Sequence, residues 1–199
     1  MKQKIEKKQE ITISPIEVAT TELKIVGLSS LLMEKMSEKI EQEMINKMQG
    51  QGKEKKQIKN FEAEVKEKIW YTDDGKVGFP ASGFKKAMVS SAPYLEGMDM
   101  KKAKGSFIVM GNIIPIKFKE QTINKAVGKD SGIKKSPRPI WRPEFREWSC
   151  VLPIRYNAGQ ITINQIVELA KLAGFHIGVG GWTPQHNGSY GTFTVAFEN

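Results

Sequence analysis

"FREWSCVLPIRYNAGQITINQIVELAKLAG", residues 145–174, decides the fold. Phe145, Glu147 and Ser149 alternate roughly against Trp148 and Cys150, the period of a half-buried strand. "NAG" at 157–159 turns the chain, and Thr162 stands where a helix cap is needed. Ile163, Ile166, Val167 and Ala170 then share one helical face, and Gly174 is expected to end the helix. A glycine-rich stretch, "GVGGWTPQHNGSYGTFTV" (178–195), leads into a last strand expected over Thr192 to Phe197. The reading is strand, helix, strand.

Working towards the N-terminus, "GSFIVMGNIIPIKFK" (105–119) reads as two strands or one bent strand, interrupted by Gly111 and Pro115. Before it, Pro80 opens a helix that places Phe84, Ala87, Met88 and Ser91 on one face. "IWYTDDGKVGFP" (69–80) looks like a hairpin tip, and "FEAEVKEKI" (61–69) like a short helix. "QGQGKEKKQIKN" (49–60) breaks the pattern and reads as a solvated loop. A strand is expected over Glu22 to Val26. Ser29 or Ser30 would cap a helix carrying Leu31, Leu32, Met36, Ile40 and Met44 along one side. Residues 1–12 are expected to be a flexible basic arm.

Between the two halves, residues 119–144 show weak periodicity and many loop-formers, and read as an inserted basic loop. The expected fold is therefore α+β: one domain over 1–199, a modified ferredoxin-like βαββαβ unit with that insertion and an extra N-terminal helix.

At 199 residues and 39% hydrophobic content the chain can bury a real core. Its net charge of +9 and pI near 9.5 favour polyanions, nucleic acid before an anionic membrane surface, against the alternative of basic drift in composition. The one cysteine, Cys150, allows neither an intramolecular disulfide nor a CxxC site, and reads as a small buried hydrophobe. The start, "MKQKIEKKQEITI", lacks the apolar core of a signal peptide, and no run is long enough to span a membrane. A soluble, cytoplasmic protein without metal or cofactor is expected.

The basic segment carries Lys119, Lys125, Lys129, Lys134, Lys135, Arg138, Arg142 and Arg146 against Glu120, Asp130 and Glu144, with Trp141 and Phe145 interleaved. Cations along such a segment can neutralise successive phosphates while aromatic faces stack on unpaired bases. The alternative is a solvated basic loop whose tryptophans turn into the core. Lys85 and Lys86, in "FPASGFKKAM" (79–88), form a second basic patch at a helix start.

The glycines at 178, 180, 181, 188 and 191 fit neither a Walker loop nor GxGxxG. They allow a tight turn whose bare backbone, at Gly180 and Gly181 beside Trp182, can lie against a nucleic-acid strand or a neighbouring subunit. A turn with no ligand remains the other reading. His176 and His186 are the only histidines, and no zinc spacing exists.

"VGFPASGFKKAMVSSA" (77–92) resembles the strand-to-helix pattern of the RAMP superfamily, the ferredoxin-like RNA-binding proteins of CRISPR complexes. Gly188, Ser189, Tyr190, Gly191, Thr192 and Phe193 resemble its glycine-rich loop before the last strand. From "RPEFREWSCVLPIRYN" (142–157) onward the chain also resembles a group of phage and prophage proteins. The resemblance implies a backbone-type subunit that repeats along single-stranded RNA, as a homo-oligomer or filament. The 119–146 stretch would then be a protruding loop and Lys85 and Lys86 phosphate contacts. The superfamily's processing nucleases use a histidine near the N-terminus, and none precedes His176 here. Binding is carried over, and cleavage is not. The expected function is non-enzymatic binding of single-stranded RNA or DNA. The rivals are a metal-independent endoribonuclease using a histidine, and an assembly or anti-defence protein acting through protein partners.

Overall fold

A computed structural model describes residues 15–50, 60–129 and 136–196. In chain order the elements of the first half are β1 (Val18–Gly27), β2 (Leu31–Leu32), α1 (Glu38–Met48), α2 (Phe61–Glu67), β3 (Trp70–Tyr71), β4 (Val77–Pro80), α3 (Ala81–Ser90) and α4 (Met100–Ser106). Then come β5 (Phe107–Val109), β6 (Ile113–Lys117), β7 (Glu120–Lys129), β8 (Pro137–Arg146), β9 (Ser149–Asn157), α5 (Ile163–Leu172) and β10 (Phe193–Val195).

The main sheet runs β10-β1-β9-β6-β4-β3, with β5 also paired to β9. All its pairings are antiparallel. Taking β1, the split β5/β6 strand, β9 and β10 as the four strands, the order is last, first, third, second. With α3 and α5 as the crossovers, that is the ferredoxin-like plan expected from the sequence. The β3–β4 hairpin extends the sheet beyond β6.

Alternation along β1 and β9 turns Leu23, Ile25, Cys150, Leu152 and Ile154 into a core shared with Phe84, Met88, Ile166 and Leu169. Phe84 meets Phe193 edge-on at 6.0 Å, and Trp148 lies within 6.4 Å of Phe84. Trp148 is a core residue, its indole N–H donating to the Ser29 carbonyl at 2.8 Å.

The α5 start forms as its sequence dictates. Thr162 accepts from the Gln165 N–H while the Gln165 side chain accepts from the Thr162 N–H, a reciprocal cap of about 1 kcal/mol. Its end differs. The chain continues through a π-helical turn, Ala173–Ile177, past Gly174. Gly174 is there because a Cβ would stand 1.9 Å from the Phe193 carbonyl oxygen.

Two further expectations are corrected. The helix expected from Ser29 or Ser30 does not start there. Leu31 and Leu32 pair with Phe145 and Glu144 as β2 and are fully buried, while Ser29 Oγ accepts from the Thr192 N–H. Ser37 caps the helix instead, and α1 begins at Glu38. Tertiary pairing outweighs the helical spacing of 31, 32 and 36.

The inserted basic loop is, over its described residues, a long antiparallel ribbon. β7 and β8 pair from Glu120↔Arg146 to Lys129↔Pro137. Prolines hid it. Pro137, Pro139 and Pro143 alternate along the edge of β8 turned away from β7. On that edge the Met33 N–H donates to the Pro143 carbonyl at 3.1 Å and Lys68 Nζ to the Trp141 carbonyl at 2.7 Å. A missing N–H costs no ladder bond there.

Candidate nucleic-acid interface

Strand alternation gives the β2–β8–β7 sheet two unlike faces. Arg138, Arg142, Glu144 and Arg146 of β8 share one of them with Glu120, Thr122 and Asn124 of β7. Lys125 and Trp141, directly opposite each other, occupy the other.

The arginine face is ion-paired. Arg142 Nε meets Glu34 Oε1 at 2.5 Å, and the arginine side chain is only 13% exposed. Arg146 meets Glu144 at 3.2 Å and Glu120 at 3.1 Å, and these carboxylates raise its pKa further. Arg138 is exposed at the outer end of the row. At the ribbon's base Lys119 pairs with Glu147 at 2.8 Å. Lys119, Arg142 and Arg146 are thus each matched to a carboxylate.

The glycine-rich loop packs onto this face. Asn124 Nδ2 donates to the Tyr190 hydroxyl at 3.1 Å, and Tyr190 stacks on Trp182 with centroids 6.3 Å apart and planes 13° from parallel. Trp182 is 48% exposed and held at φ +54°. On the same face of the ribbon, Thr122 Oγ1 and Asn124 Oδ1 are buried without a hydrogen-bond partner among the described residues. Gly181 donates to the Leu32 carbonyl at 2.9 Å and lies against the Glu34–Arg142 pair.

The remaining glycines serve the chain's approach to itself. A Cβ at Gly191 would stand 1.7 Å from the Val179 oxygen, at Gly188 1.8 Å from the Trp182 oxygen, and at Gly180 2.3 Å from the Leu32 oxygen.

On the opposite face Lys125 Nζ sits 4.3 Å from the Trp141 ring centroid, and Trp141 packs on Phe61 of α2 at 5.1 Å. Lys68, which follows α2, grips the ribbon edge. Burial lowers its pKa, as do the positive charges of Arg142 and Arg138, with Glu64 and Glu34 opposing.

Arg138, Arg142, Arg146, Gly180, Gly181 and Trp182 are therefore brought to one surface, and Lys125 and Trp141 to its reverse. Lys129 is placed opposite Pro137, and Lys134 and Lys135 lie outside the described residues. Lys85 and Lys86 belong elsewhere. Lys85 Nζ donates to the carbonyls of Lys104 (3.0 Å) and Phe107 (2.6 Å), and burial lowers its pKa. That ammonium is engaged in tying α4 to β5. Lys86 faces a groove between α3 and α4.

Sequence reading missed Glu34, Asn124 and Lys68 as parts of the site. No local pattern marks them, since each meets its partner across many residues.

No protein-family model matches the chain, and no curated protein matches it. Among solved structures, the chain is similar to Cmr6 from Pyrococcus furiosus. Identity is 12%, the TM-score is 0.42, and the match covers 92% of this chain and 100% of that one.

Among the described residues no cluster of His, Cys, Asp or Glu could hold a metal ion. His176 stacks flat on Tyr94 at 4.0 Å. Cys150 is buried and its thiol pKa is pushed up to about 12. No described helix is long and apolar enough to cross a membrane.

Proposed function

We propose that this chain binds single-stranded RNA along the arginine face of the β2–β8–β7 sheet and across the glycine-rich loop, as a non-enzymatic RAMP-like subunit. The observation that carries the reading is the half-exposed Trp182, stacked on a Tyr190 that Asn124 holds beside the arginine row. A preformed indole platform beside guanidinium groups suits an unpaired base and its phosphate. In the bound state phosphates displace Glu34, Glu120 and Glu144 as arginine partners, and the net charge of +9 steers the strand in. The ferredoxin-like strand order and the RAMP resemblance of residues 77–92 and 188–193 support RNA as the ligand.

Fluorescence anisotropy with labelled single-stranded RNA, single-stranded DNA and duplex RNA, at two salt concentrations, tests it. Single-stranded RNA is expected to bind most tightly, with affinity falling as salt rises. A Trp182→Ala, Arg138→Ala variant should lose most of that affinity. Equal binding of all three probes, or an unchanged double variant, would overturn the reading. RNA recovered intact after incubation is expected.

A further inference from the structure

We infer that the outer edge of β7 receives an extended segment of a partner protein, added as a strand in which apolar residues flank an acidic one. The edge is the first observation. β7 is a ten-residue strand at the border of the β2–β8–β7 sheet, about 34 Å of backbone at roughly 3.4 Å per residue. Among the described residues no strand pairs with its outer side. The Met33 N–H bonds to the Pro143 carbonyl, so Pro143 turns its main chain away from β7, and Ile123 opposite it turns away from β8. By strand alternation Gln121, Lys125 and Val127 do the same. Each offers a free N–H and C=O along the border.

The side chains at those positions are the second. They share the face that Trp141 occupies, opposite the arginine row. Ile123 is 39% exposed and Val127 76%, with Lys125 midway between them. A strand paired here sets its own side chains beside these three, so an apolar, acidic, apolar series at alternate positions matches them. Main-chain bonds supply the grip, and the lysine supplies the choice of partner. The same features argue against other occupants. A sugar–phosphate strand laid along the border would meet a carbonyl oxygen beside every N–H and gain nothing from an exposed valine. A second β7, laid antiparallel so that Ile123 meets Val127, would set Lys125 against Lys125.

Fluorescence anisotropy of the full chain with a labelled heptapeptide, Thr-Val-Thr-Glu-Thr-Val-Thr, tests this without RNA, so its result stands apart from that of the RNA reading. Binding is expected, and lysine in place of the peptide's glutamate should weaken it about fivefold. N-methylation of the two valines and the glutamate removes the N–H groups that meet β7 and should abolish binding. N-methylation of the two inner threonines, whose N–H groups face away, should not. A Lys125→Glu protein, its fold checked by circular dichroism, should prefer the lysine peptide to the glutamate one. No binding at up to about 1 mM peptide, binding that survives methylation of the valines and glutamate, or a preference that Lys125→Glu does not reverse would each overturn the inference. Loss of single-stranded RNA affinity in Lys125→Glu, with no peptide bound by the wild type, would assign the border to nucleic acid instead.

Discussion

Asn124 and Tyr190, 66 residues apart, share a 3.1 Å hydrogen bond that fastens the β7–β8 ribbon to the glycine-rich loop. Neither residue belongs to the main sheet. Through this contact the platform of Trp182 and the arginine row become parts of one surface. A double-mutant cycle with Asn124→Ala and Tyr190→Phe is expected to give a coupling of about 0.5–1.5 kcal/mol in denaturant unfolding. Additive effects would mean that loop and ribbon are independent.

Trp182 separates stability from binding. Its φ of +54° is costly for any residue with a Cβ and free for glycine. Trp182→Gly should therefore be about 1 kcal/mol more stable than Trp182→Ala. Both should bind single-stranded RNA about 5- to 150-fold more weakly than wild type, the loss of roughly 1–3 kcal/mol of base stacking. Denaturation and anisotropy on the same two samples read the two effects separately.

The Glu34–Arg142 pair is expected to set the salt response of the proposed RNA binding. With Arg142 already paired, a phosphate that takes it must displace a carboxylate. Glu34→Gln leaves the guanidinium without its charge partner. The slope of log affinity against log salt is expected to steepen by about 1, with tighter binding at low salt. An unchanged slope would show that Arg142 meets no phosphate.

Gly191 is held by its surroundings and by its φ of +68°. Gly191→Ala forces a methyl onto the Val179 carbonyl at the turn's closest crossing. A loss of more than about 2 kcal/mol is expected from chemical unfolding. A near-neutral result would show that the loop can open without cost.

Lys85 tests the division between structure and binding. Lys85→Ala should cost about 1–2 kcal/mol of stability through its lost carbonyl bonds, and leave RNA affinity unchanged. Burial lowers its folded pKa, so the unfolded chain binds this proton more tightly. Its contribution to stability is therefore least favourable at neutral pH. It rises as pH climbs from the folded value towards the ordinary lysine range. Stability curves of wild type and variant between pH 8 and about 10.5 should diverge in that direction.

Much of the ferredoxin-like unit was legible because its signals are local. The Thr162 cap, the apolar face of α5, the β3–β4 turn and the alternation of β9 are each written within a few residues. The same local grammar misled where tertiary pairing took over. Leu31 and Leu32 have helical spacing with Met36 but are drawn into β2 by the edge of β8. The prolines of β8 signal a loop until a structure shows them all on its outer edge.

Charge and glycine content by themselves determined that this is a basic, folded chain with a tight turn before its last strand. Only the tertiary structure decided which cations share a face, which are matched to acids, and which glycines answer to a neighbouring carbonyl. The reason is physical. Composition sets how much charge there is, but pairing and close approach depend on distances between residues far apart in sequence.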